Sequence, residues 1–377
     1  MTFLRCRPRP CLPSHLIRHL RRSSSFSHLE SSLKSRQLPI LYDYLTPQSS
    51  HLLSTTLVDF LPFLFTTIPT RLPTISSPDY LPISHHLVYF PNSTKLSSLL
   101  PDGTDTLHSP GEPFTHRLWA GGHISFPPPG GPLLNGKRAA IVEGIRSVRI
   151  AGQPGSEKVF VGIERRVTVV AEGEKDEEIR ARTWAEDADD TADAILIERR
   201  DLCFLRPDQK NNNSTIKPLS PRRPLAPPTN PDFTHSLTPT THLLTRYSSL
   251  TYNAHAIHLD PLYTRTHYKQ PALLVHGPLL LTLMLTFLAH SLKPISHVVR
   301  TIHYRCLAPV FVGDAIRICV KRSSDPSKPG RSIPVSTDAE PEALQWDVWI
   351  EKKDTNDDQG APGSLAVRAT VRSETTL

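Results

Sequence analysis

Four side chains able to move or orient a proton fall within eight residues: Asn253, His255, His258 and Asp260. Histidine ionises nearest neutral pH, so an imidazole beside a carboxamide or carboxylate suits general acid–base work. A histidine-rich stretch alone reads equally well as a solvated loop. A second element shifts the balance: Val275-His276-Gly277-Pro278 opens a strongly apolar run. Proline suits the first helical position, and glycine beside it lets a backbone N–H approach a ligand at the positive end of a helix. An imidazole base and an N–H aimed at developing negative charge together suit proton abstraction next to a carbonyl. His255 and His276 read as supporting groups that fix the loop. Asp260 reads either as a helper of His258 or as a loop residue.

Other chemistries lack their residues. The sequence has no Gly-x-Ser-x-Gly, no His-Glu-x-x-His and no Gly-x-Gly-x-x-Gly. Gly131-Pro-Leu-Leu-Asn-Gly136-Lys137 resembles a phosphate loop, but Arg138 stands where a magnesium-binding hydroxyl is needed and Pro132 has no N–H, so a sheet turn is expected. Cys6, Cys11, Cys203, Cys306 and Cys319 are scattered without a Cys-x-x-Cys pair, which predicts neither a metal site nor a disulfide framework. No metal and no cofactor are expected.

Positioning these groups takes more than one core, because 377 residues exceed what a single hydrophobic core organises, and two units of about 150 residues fit. The net charge of +7 sits entirely in residues 1–36, where eight basic side chains face Glu30 alone; the remaining 341 residues carry 35 basic and 35 acidic groups. A neutral body gives no field for nucleic acid, and none is expected as a partner. The Arg- and Ser-rich residues 1–36 read as a mitochondrial transit peptide processed near Arg22 to Ser27, or as a disordered basic tail of the same composition. Residues 37–205 form the first unit, with alternating β-branched runs at Leu118–Phe126, Ala139–Val142, Ile145–Ile150, Lys158–Ile163, Arg166–Val170, Ala194–Glu198 and Leu202–Leu205 that predict an antiparallel sheet. The charged stretch Glu172–Asp193 reads as a solvated loop. Residues 206–232, rich in Asn, Pro and Arg, read as a linker.

The second unit, residues 233–377, starts with a helical pattern at Thr241–Leu250. From Pro278 a helix of about 14 residues runs to Ser291, too short to span a membrane, so a helix buried in a protein core is expected and no membrane span. Strands follow at His297–Tyr304, Ala315–Val320, Leu344–Ile350 and Leu365–Val371. A long buried helix wrapped by antiparallel strands is an α+β arrangement.

Tyr247-Ser-Ser-Leu-Thr-Tyr-Asn-Ala-His-Ala-Ile-His-Leu-Asp260, then Tyr268, Pro271, Leu274–Leu279 and Arg305–Asp314, resemble the MaoC-type hydratases. Among these they are most similar to the fungal mitochondrial hydroxyacyl-thioester dehydratase type 2 group, which in turn resembles mesaconyl-CoA hydratases. The resemblance covers residues 233–320 well and Leu118–Val170 more weakly. It implies a double hot-dog fold whose first hot dog is degenerate, with His258 as catalytic histidine and the Gly277 N–H polarising a thioester carbonyl. It also implies a substrate carried by acyl carrier protein or coenzyme A, in mitochondrial matrix fatty-acid synthesis. The activity implied is that of a 3-hydroxyacyl-thioester dehydratase, a hydro-lyase. The chain departs from the common motif at Asn253, where aspartate is usual; asparagine cannot accept a proton, so its expected role is to orient water or a substrate hydroxyl. A C4-dicarboxylate CoA hydratase and a non-catalytic acyl-binding subunit are the alternatives. Oligomeric state is not readable, and a homodimer is one option.

Overall fold

The computed structural model describes residues 26, 28–66, 70–127, 130–187, 189–207, 225–323, 343–353 and 363–375. Most of the expected leader and the centre of the expected linker lie outside the described residues. The leader boundary drawn at residue 36 falls inside packed structure: α1 (His28–Lys34) lies on the sheet, with Leu29 and Leu33 buried against it. Two leucines one helical turn apart give this short helix the apolar stripe that docks it.

The first unit continues with β1 (Leu41–Tyr44), α2 (Pro47–Leu57), β2 (His116–Ser125), β3 (Arg138–Ala151), β4 (Lys158–Val169), α3 (Asp176–Thr183) and β5 (Leu196–Leu205). The second contains β6 (Phe233–Leu237), α4 (Thr241–Thr251), α5 (Pro261–Thr266), α6 (Gly277–Leu292), β7 (His297–Cys306), β8 (Ile316–Arg322), β9 (Ala343–Lys352) and β10 (Ser364–Thr375). The ten strands of the described residues form one antiparallel sheet in the order β1-β3-β4-β5-β2-β7-β10-β9-β8-β6. Each half has the same internal order, first-third-fourth-fifth-second, so the chain is a duplicated unit joined back to back at β2 and β7. At that seam His123 lies opposite His303, with their rings stacked 4.1 Å apart. This is the double hot-dog fold, α+β.

Several runs expected as pairs of short strands are single long ones. β4 passes without a break through Glu164-Arg165-Arg166, and β5 through Glu198-Arg199-Arg200-Asp201. Glu164, Arg165, Arg166 and Glu198 are buried and paired, Arg199 and Arg200 are half-buried and paired, and Asp201 is exposed. Gly144 joins two of the expected runs into β3 and sits mid-strand, where an added Cβ would lie 2.5 Å from the Trp184 ring. The stretch expected as a charged loop holds α3, which has Asp176, Glu177 and Glu178 in its first turn and buries Ile179 and Thr183. Acidic groups at a helix N-terminus favour the macrodipole, and one buried isoleucine was too faint a stripe to read.

α6 is apolar on every side, as a helix surrounded by protein should be. Together with the 3-10 turn that extends it, it is long and apolar enough to cross a membrane by composition, yet Leu279, Leu281, Leu283, Met284, Leu285 and Leu288 are buried. It packs on β7, β8, β9 and β2. α2, its counterpart in the first unit, has α4 and the 3-10 turn His85–Val88 as its main neighbours.

Candidate active site

The loop between α4 and α6 builds one wall of a cavity of about 870 Å³. α4 ends where Tyr252 adopts a left-handed conformation and its N–H caps Ser248 and Ser249. The next residue, Asn253, donates its N–H to Ser248 O at 2.9 Å and accepts the His255 N–H on Oδ1 at 3.0 Å. That side-chain-to-backbone bond is the Asx turn that sends the chain into the 3-10 turn Ala256–His258. Asn253 lines the cavity, and its NH2 is the donor that this turn leaves unused.

His258 is buried, and its Nδ1 donates to Leu274 O at 2.6 Å, which leaves Nε2 as the nitrogen bearing a lone pair. Burial, with His276 and His255 alongside, pulls its pKa well below 6.5, so the ring is neutral. It stacks on His276 at 3.7 Å between centroids. His276 shares a 2.9 Å hydrogen bond through Nε2 with Ser248 Oγ, while its Nδ1 is buried without a partner, and burial pushes its pKa down to about 3. His255 lies edge-on to His258, 5.4 Å between centroids.

Gly277 follows His276 and opens α6. The first intrahelical bond runs from Leu280 N–H to His276 O at 3.0 Å, so the Gly277 N–H precedes the helical ladder, at the positive end of the dipole. A side chain here would collide with the first unit: a Cβ would sit 2.9 Å from the Trp119 Cβ on β2. Trp119 is anchored in turn by its Nε1–H donating to Tyr304 Oη at 2.9 Å and by the Arg200 guanidinium 4.9 Å over its ring. Glycine therefore both exposes the amide and admits Trp119.

Asn253, His255, His258, His276 and Gly277 all line this one cavity. Asp260 does not; it is exposed and caps α5 by accepting the Tyr263 N–H at 2.9 Å. Two sets of residues went unread in the sequence. Asp102, in the turn Leu100-Pro-Asp-Gly103 of the first unit, is buried 3.4 Å from His255 Nε2 and accepts the Tyr268 hydroxyl at 3.4 Å. Nothing local marks a turn aspartate as the neighbour of a histidine about 150 residues on. The other set is Glu143, Arg165 and Arg200, which charge the cavity wall on the first unit. Arg165 bridges Glu143 at 2.7 Å and Glu198 at 3.2 Å, and Arg200 pairs with Glu198 at 2.6 Å. Their signal is a period-two placement of charge across facing strands, with Glu143 and Glu198 directly opposite Arg165.

A family model described as hydroxyacyl-thioester dehydratase type 2 matches residues 84–312, more than half of the chain. The chain is 25% identical over 297 residues to "Hydroxyacyl-thioester dehydratase type 2, mitochondrial" of Schizosaccharomyces pombe, covering 76% of this chain and 91% of that protein. It is 26% identical over 260 residues to "Mesaconyl-C(4)-CoA hydratase" of Chloroflexus aurantiacus, covering 68% and 80% respectively. Among solved structures, a "MaoC-like dehydratase" superposes with a TM-score of 0.51 at 14% identity, over 89% of this chain and 98% of that one, a likeness of fold.

Proposed function

We propose, because the chain belongs to the hydroxyacyl-thioester dehydratase type 2 family, that it is a hydro-lyase removing water from a 3-hydroxyacyl thioester and, in reverse, hydrating the trans-2-enoyl thioester. The observation that carries this reading is a neutral imidazole, its tautomer fixed by Leu274 O, lining the same cavity as the open N-terminus of α6. His258 Nε2 takes the C2 proton. Negative charge then grows on the thioester oxygen, where the Gly277 N–H and the helix dipole stabilise it. The C3 hydroxyl leaves as water, held in line by the Asn253 NH2.

The cavity also supports the choice of substrate. A C4-dicarboxylate thioester would need a spare cation for its free carboxylate. Among the described residues, each of the three arginines lining the cavity already has an acid: Arg117 has Asp105 at 3.2 Å, Arg165 has Glu143 and Glu198, and Arg200 has Glu198. An uncharged acyl chain fits this balance better. The S. pombe relative is named as mitochondrial, and α1 begins just after the interval Arg22–Ser27 in which processing is expected. The place of action in this reading is the mitochondrial matrix, on acyl carrier protein or coenzyme A thioesters of fatty-acid synthesis.

Hydration of crotonyl-CoA by the purified protein tests the activity. His258→Ala should lower kcat/KM by about a thousandfold, the loss typical of a removed general base. Gly277→Ala should cost about tenfold to a hundredfold in kcat, since the helix start must shift off Trp119 and carry the oxyanion donor with it. Equal rates in wild type and His258→Ala would remove His258 as the base. A preference for mesaconyl-C4-CoA over crotonyl-CoA would overturn the substrate assignment, and silence on every enoyl thioester would favour an acyl-binding subunit.

A further inference from the structure

The proposed mechanism balances through the proton that His258 takes from C2, but it does not name the group that hands a proton to the departing hydroxyl. The departing hydroxyl must gain a proton, and Asn253 cannot supply a titratable one: its Oδ1 is taken by the His255 N–H, and a carboxamide does not ionise in this range. Two other imidazoles touch the His258 ring. His276 is locked, with Nε2 bonded to Ser248 Oγ and Nδ1 sealed from the cavity without a partner. His255 differs in having a carboxylate behind it. Its Nε2 lies 3.2 Å from Tyr268 Oη and 3.4 Å from Asp102 Oδ2, and the Tyr268 hydroxyl itself donates to Asp102. Asp102 is fixed as an acceptor by the Thr104 N–H at 3.0 Å and the Thr104 hydroxyl at 2.7 Å on Oδ1. Its main-chain carbonyl accepts the Ala256 N–H at 2.8 Å, which ties the first unit's turn to the catalytic loop. Gly103 makes that approach possible, because a Cβ there would stand 2.1 Å from Ala254 O.

Resting on the dehydratase reading, we infer that His255 is a second catalytic residue, the acid that protonates the departing hydroxyl, and that Asp102 of the first unit is its positioning residue. Nε2–H is held on the side of the Tyr268 hydroxyl and the Asp102 carboxylate, so Nδ1 is the nitrogen that serves the cavity. In dehydration the pair starts with one shared proton, carried by His255 as the imidazolium that Asp102 favours against burial. His258 Nε2 takes the C2 proton, the C3–O bond breaks, and His255 Nδ1–H passes its proton to the leaving hydroxyl while Nε2–H stays on the Tyr268 and Asp102 side. The electron pair of the C2–H bond becomes the C2=C3 double bond. The product water then carries a proton from His258 back to His255, which resets both rings. Hydration is the same path reversed, with His255 as base toward water. The site thus replaces the usual single carboxylate with a carboxylate-backed imidazole, and neither unit holds the couple alone.

Burial lowers the His255 pKa while Asp102 opposes the fall, and burial alone would raise Asp102, whose hydrogen bonds from His255 and Thr104 hold it low. The groups that face His255 are Asp102, Tyr268 and His258, with His116 and Arg117 of β2 acting at longer range.

Crotonyl-CoA hydration followed over roughly pH 5 to 9 tests the couple. His255→Gln should lower kcat about a hundredfold while KM stays within about twofold. Asp102→Asn should lower kcat about tenfold and move the acidic limb of the kcat profile to lower pH by roughly one unit, since the charge that raises the His255 pKa is gone. Asp102→Glu should recover most of both. If His255→Gln and Asp102→Asn turn over within about twofold of wild type while His258→Ala is inactive, the couple is refuted and His258 stands as base. A loss in Asp102→Asn with an unmoved acidic limb and a lowered Tm assigns Asp102 to structure alone and overturns its positioning role. Activity retained in His258→Ala would instead remove the dehydratase mechanism on which the couple depends.

Discussion

The two halves of the sheet share one strand order and have opposite interiors. In the second unit Ile316, Ile318, Val348, Ile350, Val367 and Val371 face a helix that is apolar all round, and the space is filled. In the first, the corresponding strands β3, β4 and β5 bring Glu143, Arg165, Glu198 and Arg200 to the side where α2 does not lie along the sheet, and a cavity remains. On the opposite face Glu164 collects Arg146, Arg166 and Arg199 beneath the segment around Trp184. Strand order therefore fixes where a helix could sit, while side chains decide whether the slot becomes a core or a pocket. A slot without its helix exposes a sheet face that must hold its own charges in register, and it leaves the volume that an acyl chain would need.

The sharpest way to break this contrast is to remove one ion from the first unit's inner face. Arg165 is buried between two carboxylates, so Arg165→Met leaves Glu143 and Glu198 buried with one fewer cation and should cost about 3 kcal/mol of stability by chemical denaturation. A compound variant replacing Glu143, Arg165, Glu198 and Arg200 with apolar residues of similar size should recover most of that loss, as buried ion sets often do. If Arg165→Met alone were neutral, the charges would not be acting as a coupled set. If the compound variant folds as well as wild type but loses turnover, the charges serve the cavity rather than the fold.

How far the sequence was legible follows the same division. The second unit could be read because its signals are local: apolar alternation, proline at the start of α6, and a His-rich loop bound to it within a few dozen residues. His258 and Gly277 are candidates on those signals, and the structure brings them to one cavity. In the first unit the pattern failed at Glu164-Arg165-Arg166 and at Glu198-Arg199-Arg200, where charge signalled exposure and pairing had made burial possible. Asp102 could not be found by spacing, since its partner His255 lies across the duplicated seam. α1 falls inside the expected leader because the surrounding Arg- and Ser-rich composition outweighs Leu29 and Leu33.

Acid should separate the two kinds of interior in time. Burial lowers His85 and His276 to about 3 and His86 and His123 to about 4, with the Glu198 charge partly opposing the shift at His86. A histidine whose folded pKa lies below its unfolded 6.5 binds protons preferentially when unfolded, so its stabilising share is intact above about pH 6.5 and is lost as pH falls toward 3 to 4. Glu143 and Glu198 are held to about 2 by His108, Arg165 and Arg200 against burial; their share is intact above about 4.5 and lost as pH drops through 2. Tm should thus begin to fall near pH 6.5, before any carboxylate titrates, and His85→Gln/His86→Gln should flatten the first part of the fall. A Tm constant from pH 6.5 to about 4.5 would contradict burial of these rings in neutral form.

The smallest effect tests the edge of the site itself. Asp260 was read in the sequence as a possible helper of His258, two residues away, yet it is exposed and its carboxylate caps α5 through the Tyr263 N–H. Its own N–H and carbonyl are also used locally, bonding Ala256 O at 2.8 Å and the Thr264 N–H at 3.0 Å. A cap of this kind is worth about 1 kcal/mol, so Asp260→Ala should lower stability by that amount and leave the kcat for crotonyl-CoA unchanged. Asp260→Asn should restore the stability, because an amide oxygen caps as well as a carboxylate does. Should Asp260→Asn instead depress kcat with the cap intact, its charge would be felt at His258, and the proposed proton-transfer site would extend beyond His258, His255 and the aspartate that the first unit lends them.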